Sequence, residues 1–92
     1  MKITYGTKRY DTDRMELIAE TEARHNGLYA GDNQLWRAKD GTMFAAITSN
    51  GQDCYRFDSI WIAGPDDSID NYDMTEAQEA RAAELGLIEI ID

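Results

Sequence analysis

The chain has 92 residues, of which 42% are hydrophobic and 29% are charged, and this composition is typical of a single folded domain (1–92) rather than of a disordered chain. No apolar stretch approaches the roughly 20 residues that a membrane-spanning helix needs, and the single cysteine, Cys54, excludes a disulfide framework. The net charge of −9, from 18 acidic and 9 basic residues, disfavours direct contact with nucleic-acid phosphates.

The N-terminal segment predicts a short strand followed by a helical turn. Lys2–Tyr5 alternates polar and apolar side chains, which is the pattern of a strand, and Gly6-Thr7 indicates a turn that closes it. Tyr10–Asp13 can begin a helical turn, because Asp and Thr side chains accept hydrogen bonds from free backbone N–H groups.

Residues 15–22 fit two structures. They alternate as a strand with one solvated face would, and they also contain an apolar stripe at helical spacing. The β-branched residues Ile18 and Thr21, and the turn signal Asn26-Gly27 that follows, favour the strand.

The clearest element is a β-hairpin. Residues 34–38 and 42–48 flank Lys39-Asp40-Gly41, and Asp-Gly supplies the positive φ that tight hairpin turns require. We expect Leu35 and Arg37 to point to one side of the sheet and Trp36 to the other. Met43, Ala45 and Ile47 should share a face.

A further strand is predicted over Tyr55–Ala63, after a turn at Asn50-Gly51. Its second half, Ile60–Ala63, is apolar at successive positions. Such a strand is either covered on both faces or lies at a sheet edge that a partner covers.

After a turn at Gly64–Ser68 and an acidic loop that runs to Asp73, the signals indicate a helix. Thr75 is a good N-cap and Gln78 completes a capping box with it. Gly86 is well placed as the left-handed residue that ends the helix.

The helix has only a shallow apolar stripe, which consists of Ala77, Ala80, Ala83 or Glu84, and Leu85. It is therefore expected to pack closely on a sheet through small residues. Leu87–Ile91 predicts a last strand. The predicted fold class is therefore α+β, a small and mainly antiparallel sheet with one α-helix near the C-terminus.

The sequence contains no recognisable catalytic or metal-binding motif. One histidine, His25, and one cysteine cannot build the usual zinc sites, and a buried structural thiol is commoner than a Cys54–His25 nucleophile pair. The acidic run from Asp66 fails the calcium-loop pattern, because Asn71 replaces its glycine and Ala77 its bidentate glutamate. We therefore expect no enzyme activity, no cofactor and no metal.

The charge is distributed unevenly. Residues 1–52 carry seven acidic and seven basic side chains, whereas residues 53–92 carry eleven acidic and two basic ones. One interpretation is a solvated surface that keeps a small protein in solution; the other is a surface that imitates a phosphate backbone and occupies a partner's cationic groove. The candidate partner-binding residues are Asp66, Asp67, Asp70, Asp73, Glu76, Glu79 and Glu84.

Three stretches carry a resemblance to a group of proteins: Lys2-Ile3 with Gly6 and Arg9–Asp13, then Leu35–Phe44, then Met74–Ala80. They resemble the K-I-x-x-G-K-x-Y-D-T opening, the L-Y-R-x-K-x-G-x-[YF]-F hairpin and the L-[ST]-x-x-E-A helix of short phage and mobile-element proteins. Here Trp36 stands where that hairpin usually has tyrosine. The resemblance covers nearly the whole chain, although its motifs are turns and caps rather than catalytic residues.

The resemblance implies a function in host defence. Small acidic phage proteins of this size include many anti-CRISPR inhibitors, so the implied role is an inhibitor that acts in the cytoplasm of a bacterial host cell. Its partner would be a protein, a CRISPR effector subunit with a cationic groove, with no direct nucleic-acid or membrane contact, and the inhibitor would be a monomer or homodimer. The alternative is a protein–protein interaction or self-associating module that uses a sheet edge and Ile60-Trp61-Ile62.

Overall fold

The computed structural model describes residues 1–25, 27–49 and 58–91. Two antiparallel sheets and a single helix near the C-terminus make up this part of the chain, which confirms the predicted α+β fold. The strands are β1 (Lys2–Tyr5), β2 (Lys8–Asp11), β3 (Glu16–His25), β4 (Leu28–Arg37), β5 (Met43–Ser49) and β6 (Ser59–Ile62), and the helix is α1 (Glu76–Glu84). Short 3-10 helices occur at Thr12–Arg14 and Ile69–Asn71.

The larger sheet has the order β3-β4-β5-β6, and every neighbouring pair is antiparallel. Leu35 lies opposite Ala45 and Trp36 lies opposite Phe44 in the β4–β5 ladder. Directly opposed residues share a face of a sheet, so the two faces are those that the alternation predicted. The turn residue Gly41 has a φ of +91°, as the Asp-Gly signal requires.

The strand prediction for residues 15–22 is confirmed, but the hairpin that contains it is longer than expected. β4 begins at Leu28, immediately after the turn residue Gly27, and its first half pairs with β3. Gly31, Asp32 and Asn33 are of types depleted in strands, and the cross-strand hydrogen bonds to β3 override that preference. A register shift between Leu17 and Ala19 marks a bulge at Ile18.

Strand β2 was not predicted from the sequence. It pairs with β1 so that Ile3 lies opposite Tyr10. The predicted helical turn follows it at Thr12–Arg14, where the Asp11 carboxylate accepts the Asp13 N–H at 3.1 Å. The Tyr10 ring lies 4.8 Å from the ring of Phe44, a fully buried residue. The β1–β2 hairpin therefore contacts the sheet face that Phe44 shares with Trp36.

Helix α1 packs on the opposite face through Ala82, which is fully buried in a cluster with Ile18, Ala19 and Leu35. The helix does pack by a small residue, and Leu85 of the predicted stripe contacts this cluster, but the first half of the stripe is wrong, because Ala77 and Ala80 are exposed. Gln78 and Leu85, four residues before and three after Ala82, are half-buried and define the packed face.

The C-terminal prediction is also wrong, because residues 87–91, all of which are described, form no strand. Gly86 ends the helix with a φ of +74°, and the Leu87 N–H donates to the Ala82 carbonyl at 2.9 Å, as in a Schellman motif. This turn directs Leu87 and Ile88 onto the core through their side chains, so the backbone passes the sheet without pairing.

Strand β6 is an edge of the larger sheet as far as the described strands go. The solvent-exposed fraction is 39% for Trp61 and 36% for Ile62, so the strand is not covered on both faces. The predicted turn at Asn50-Gly51 and the start of the predicted strand, 55–57, lie outside the described residues. In the part of the chain that the structure describes, no helix has the length and apolar character needed to cross a membrane.

The packed face of α1 is testable with one substitution on each side of the helix. We expect Ala82→Leu to lower the free energy of unfolding by about 1–3 kcal/mol, because the larger side chain must displace Ile18 or Leu35. Ala80→Leu makes the same change at an exposed position and should be nearly neutral. Denaturant melts measure both, and a larger loss for Ala80→Leu would mean that the helix packs by the face predicted from the sequence.

Candidate functional site

The candidate partner-binding residues begin in the turn that leaves β6. There the Asp67 carboxylate accepts the backbone N–H of Gly64 and the indole N–H of Trp61, each at 2.9 Å. The Asp67 N–H donates to the Gly64 carbonyl at 3.0 Å and closes the turn. Asp67 is half-buried, and its carboxylate is already engaged within the chain.

The next part of the loop is tied to itself and to the sheet. Ser68 caps the second 3-10 helix, and the Asn71 side-chain amide donates to the Asp66 carbonyl at 3.0 Å. The Asp73 carboxylate accepts the hydroxyl of Thr21 on β3 at 3.0 Å. Tyr72, which lies between Asn71 and Asp73 in the sequence, is half-buried, and burial raises the pKa of its phenol. The loop is thus fixed to the sheet at Thr21.

Helix α1 begins as the sequence predicted. The Thr75 hydroxyl accepts the Gln78 N–H at 3.2 Å, and the Gln78 side chain accepts the Thr75 N–H at 2.9 Å. This capping box places Glu76 and Glu79 in the first turn, where the helix dipole favours negative charge. Both glutamates are exposed.

Arg81 is the sole basic residue in the sequence from 58 to 91, and it is held between two glutamates. Its guanidinium donates to both carboxylate oxygens of Glu16, at 2.7 and 2.9 Å, and to Glu84 at 2.9 Å. The Arg81 hydrogen bonds lower the pKa of Glu16, and the two glutamates raise the pKa of the guanidinium. The positive charge of this segment is therefore satisfied internally.

The seven predicted residues consequently divide into two groups. Asp67, Asp73 and Glu84 each have a partner within the chain. The other four are exposed, and their side chains make no hydrogen bond or ion pair with any described residue. We call these four residues the acidic surface: Asp66, Asp70, Glu76 and Glu79.

A second group of carboxylates lies on the β3–β4 ladder and was missed from the sequence. Glu22 is directly opposite Asp32, and Glu20, two residues earlier on β3, is opposite Gln34. Asp32 accepts the Tyr29 hydroxyl at 3.0 Å, which raises the pKa of that phenol. The alternation of Glu20 with Glu22 in the sequence indicates that both lie on one face of a strand. The residues opposite them could be identified only once the full length of β4 was known.

Two further kinds of site considered from the sequence are a Cys54–His25 nucleophile pair and a metal site. Cys54 lies outside the described residues, as does the structure of any nucleophile pair that includes it. Among the described residues, no group of three or more His, Cys, Asp or Glu side chains could hold a metal ion. Comparison of this chain with protein-family models, with curated proteins and with solved structures finds no significant match in any of the three.

The Glu16–Arg81 pair should make stability depend on acid pH. Because the folded-state pKa of Glu16 is lowered, the pair stabilises the fold above the unfolded-state value of about 4.3, and this contribution disappears as the pH falls through the folded-state pKa. We expect Arg81→Met to melt at a lower temperature than wild type near neutral pH, and the two melting curves to converge in acid. A carbon-detected NMR titration should show the pKa of Glu16 rising in this variant; an unchanged value would contradict the pairing.

Proposed function

We propose that the protein acts by binding, and that its acidic surface contacts a cationic, nucleic-acid-binding surface of another protein. The observation that carries this proposal is that most carboxylates between residues 66 and 79 are not neutralised within the fold. Four carboxylates there are exposed and without a partner among the described residues, while the nearest cation along the helix, Arg81, is taken by Glu16 and Glu84. The segment presents negative charge that the fold does not neutralise.

The anchoring of the loop supports the same proposal. Asp67 and Asp73 hold the loop to Trp61 and Thr21, and the capping box orders the start of α1. Charges on an ordered segment lose less conformational entropy on binding than charges on a free tail. Complementary charge also steers encounter with a cationic partner and raises the association rate.

The specific role that we propose is inhibition of a CRISPR effector complex in the cytoplasm of a bacterial host, with the acidic surface in the groove that otherwise holds nucleic acid. This part of the proposal rests on the resemblance of the Lys2–Asp13, Leu35–Phe44 and Met74–Ala80 stretches to short phage proteins. A cationic groove that binds phosphates through Lys and Arg can accept carboxylates in their place.

Neutralising the acidic surface tests the proposal. The test variant combines Asp66→Asn, Asp70→Asn, Glu76→Gln and Glu79→Gln, and the control removes four charges elsewhere with Asp13→Asn, Glu20→Gln, Glu22→Gln and Asp32→Asn. We expect wild type and control to block target-DNA binding by a purified CRISPR effector complex, and the test variant to be weaker by about tenfold or more, which corresponds to about 1.4 kcal/mol. Fluorescence anisotropy of labelled DNA measures the inhibition.

Two results would count against this assignment in different ways. Equal inhibition by the test variant and wild type would remove the acidic surface as the contact. Failure of the wild-type protein to inhibit effector complexes of the major types would remove the anti-CRISPR role. Inhibition should also weaken with salt, because exposed charges are screened over a distance of about 10 Å at 0.1 M ionic strength.

A second candidate function is self-association through β6, and the exposure of Trp61 and Ile62 on this edge strand favours it. Unpaired edge strands can add a strand from a second chain. If β6 is such a contact, light scattering should show a mass that rises with protein concentration, and Ile62→Lys should abolish the rise. Ile91→Lys changes an exposed residue outside the edge and should leave it intact. A constant monomer mass would exclude this function.

A further inference from the structure

The first half of the chain contains a cavity whose charge is opposite to that of the protein. It has a volume of about 340 Å³ and lies between β2, the first 3-10 helix and the β4–β5 turn. Four of its lining residues are cations: Lys8, Arg9, Arg14 and Lys39. This site is not apparent from the sequence, because the charges of residues 1–52 sum to zero along the chain.

The cations of this cavity are largely free. Arg9, Arg14 and Lys39 are exposed and make no hydrogen bond or ion pair with any described residue. Lys8 has a single ion pair, 3.8 Å from the Asp40 carboxylate, and its side chain is 67% exposed. A second cavity of about 410 Å³ is also lined by Arg9 and Arg14.

The two carboxylates of the lining are already in use. Asp11 caps the first 3-10 helix through the Asp13 N–H. Asp40 accepts the Thr42 N–H at 3.0 Å and the Tyr10 hydroxyl at 2.8 Å, and these bonds lower its pKa to about 2. With four cations and two committed carboxylates, the lining carries a net charge of +2 in a chain whose net charge is −9.

We propose that this cavity binds a small phosphate-bearing molecule, with Arg9 and Arg14 as the principal contacts and Lys8 and Lys39 as further charges. Guanidinium groups match the geometry of phosphate oxygens and form paired hydrogen bonds with them. The volume lies in the range of roughly 300–1,000 Å³ that is usual for small-molecule sites. The Tyr10 ring, held against Phe44 and bonded to Asp40, supplies a fixed wall beside the cations.

The charge of the remaining surface favours a small ligand over a nucleic-acid strand. Outside the cavity lining the chain carries a net charge of −11, the difference between −9 and +2. A strand long enough to leave the cavity would bring further phosphates toward a chain whose remaining net charge is negative, and like charges repel. A phosphomonoester or nucleotide confined to the cavity avoids that repulsion.

The test is a titration of the full chain, followed by NMR, with AMP, inorganic phosphate, sulfate and a single-stranded dodecanucleotide as probes. We expect AMP or phosphate to shift the amide signals of Arg9 and Arg14 at millimolar or lower concentration. Arg14→Gln should weaken this binding at least tenfold. Arg24→Gln removes the same charge from a residue that is paired with Glu22, outside this cavity, and should leave binding unchanged.

Several outcomes would overturn the site. Equal weakening by Arg14→Gln and Arg24→Gln would show that only net charge matters, and sulfate binding as tight as AMP or phosphate would show an unselective anion site. Tighter binding of the oligonucleotide than of AMP would replace the small ligand with a nucleic acid. No shift with any probe at millimolar concentration would remove the proposal. Unchanged melting temperatures of both variants confirm that these comparisons concern folded protein.

Discussion

The contact of Ala82 with Ile18, Ala19 and Leu35 decides where the other surfaces of this protein lie. Ala82 is fully buried, and its small methyl group lets α1 approach the sheet closely. The helix therefore has to begin near β3, and the chain that leaves β6 must cross to that point. Residues 64–75 make this crossing as a loop that packs Ile69, Tyr72 and Met74 against the core and is anchored at Thr21. The acidic surface owes its position to the packing of one alanine.

Local signals in the sequence predicted those parts of the fold that depend on few residues. The Asp40-Gly41 turn fixed the β4–β5 register, and the Thr75 and Gln78 cap fixed the start of α1. Strand β2 and the first half of β4 follow the turn signals Gly6-Thr7 and Asn26-Gly27, but their own residues have weak strand propensity, and cross-strand hydrogen bonds form them. The strand prediction for Leu87–Ile91 is wrong although the composition of this segment is typical of a strand. Leu87 and Ile88 cover the core with their side chains, while the backbone of the segment pairs with no strand.

The candidate site was predictable as a region but not in its details. Charge counting located seven carboxylates between residues 66 and 84, and it had no means of separating structural from free ones. That separation depends on partners far away in the chain, such as Thr21 for Asp73 and Glu16 for Arg81. The cationic cavity was hidden for a related reason. Summing charges along residues 1–52 gives zero, whereas folding places Lys8, Arg9, Arg14 and Lys39 around one space.

The structural roles of the four free carboxylates are not equal. Glu76 and Glu79 lie in the first turn of α1, where the helix dipole stabilises negative charge by about 0.3–1 kcal/mol each at an exposed site. Asp66 and Asp70 have no such compensation, since Asp66 lies in a turn and Asp70 in a 3-10 helix of only three residues. Asp66 and Asp70 are therefore the residues at which a role in folding accounts least for the charge.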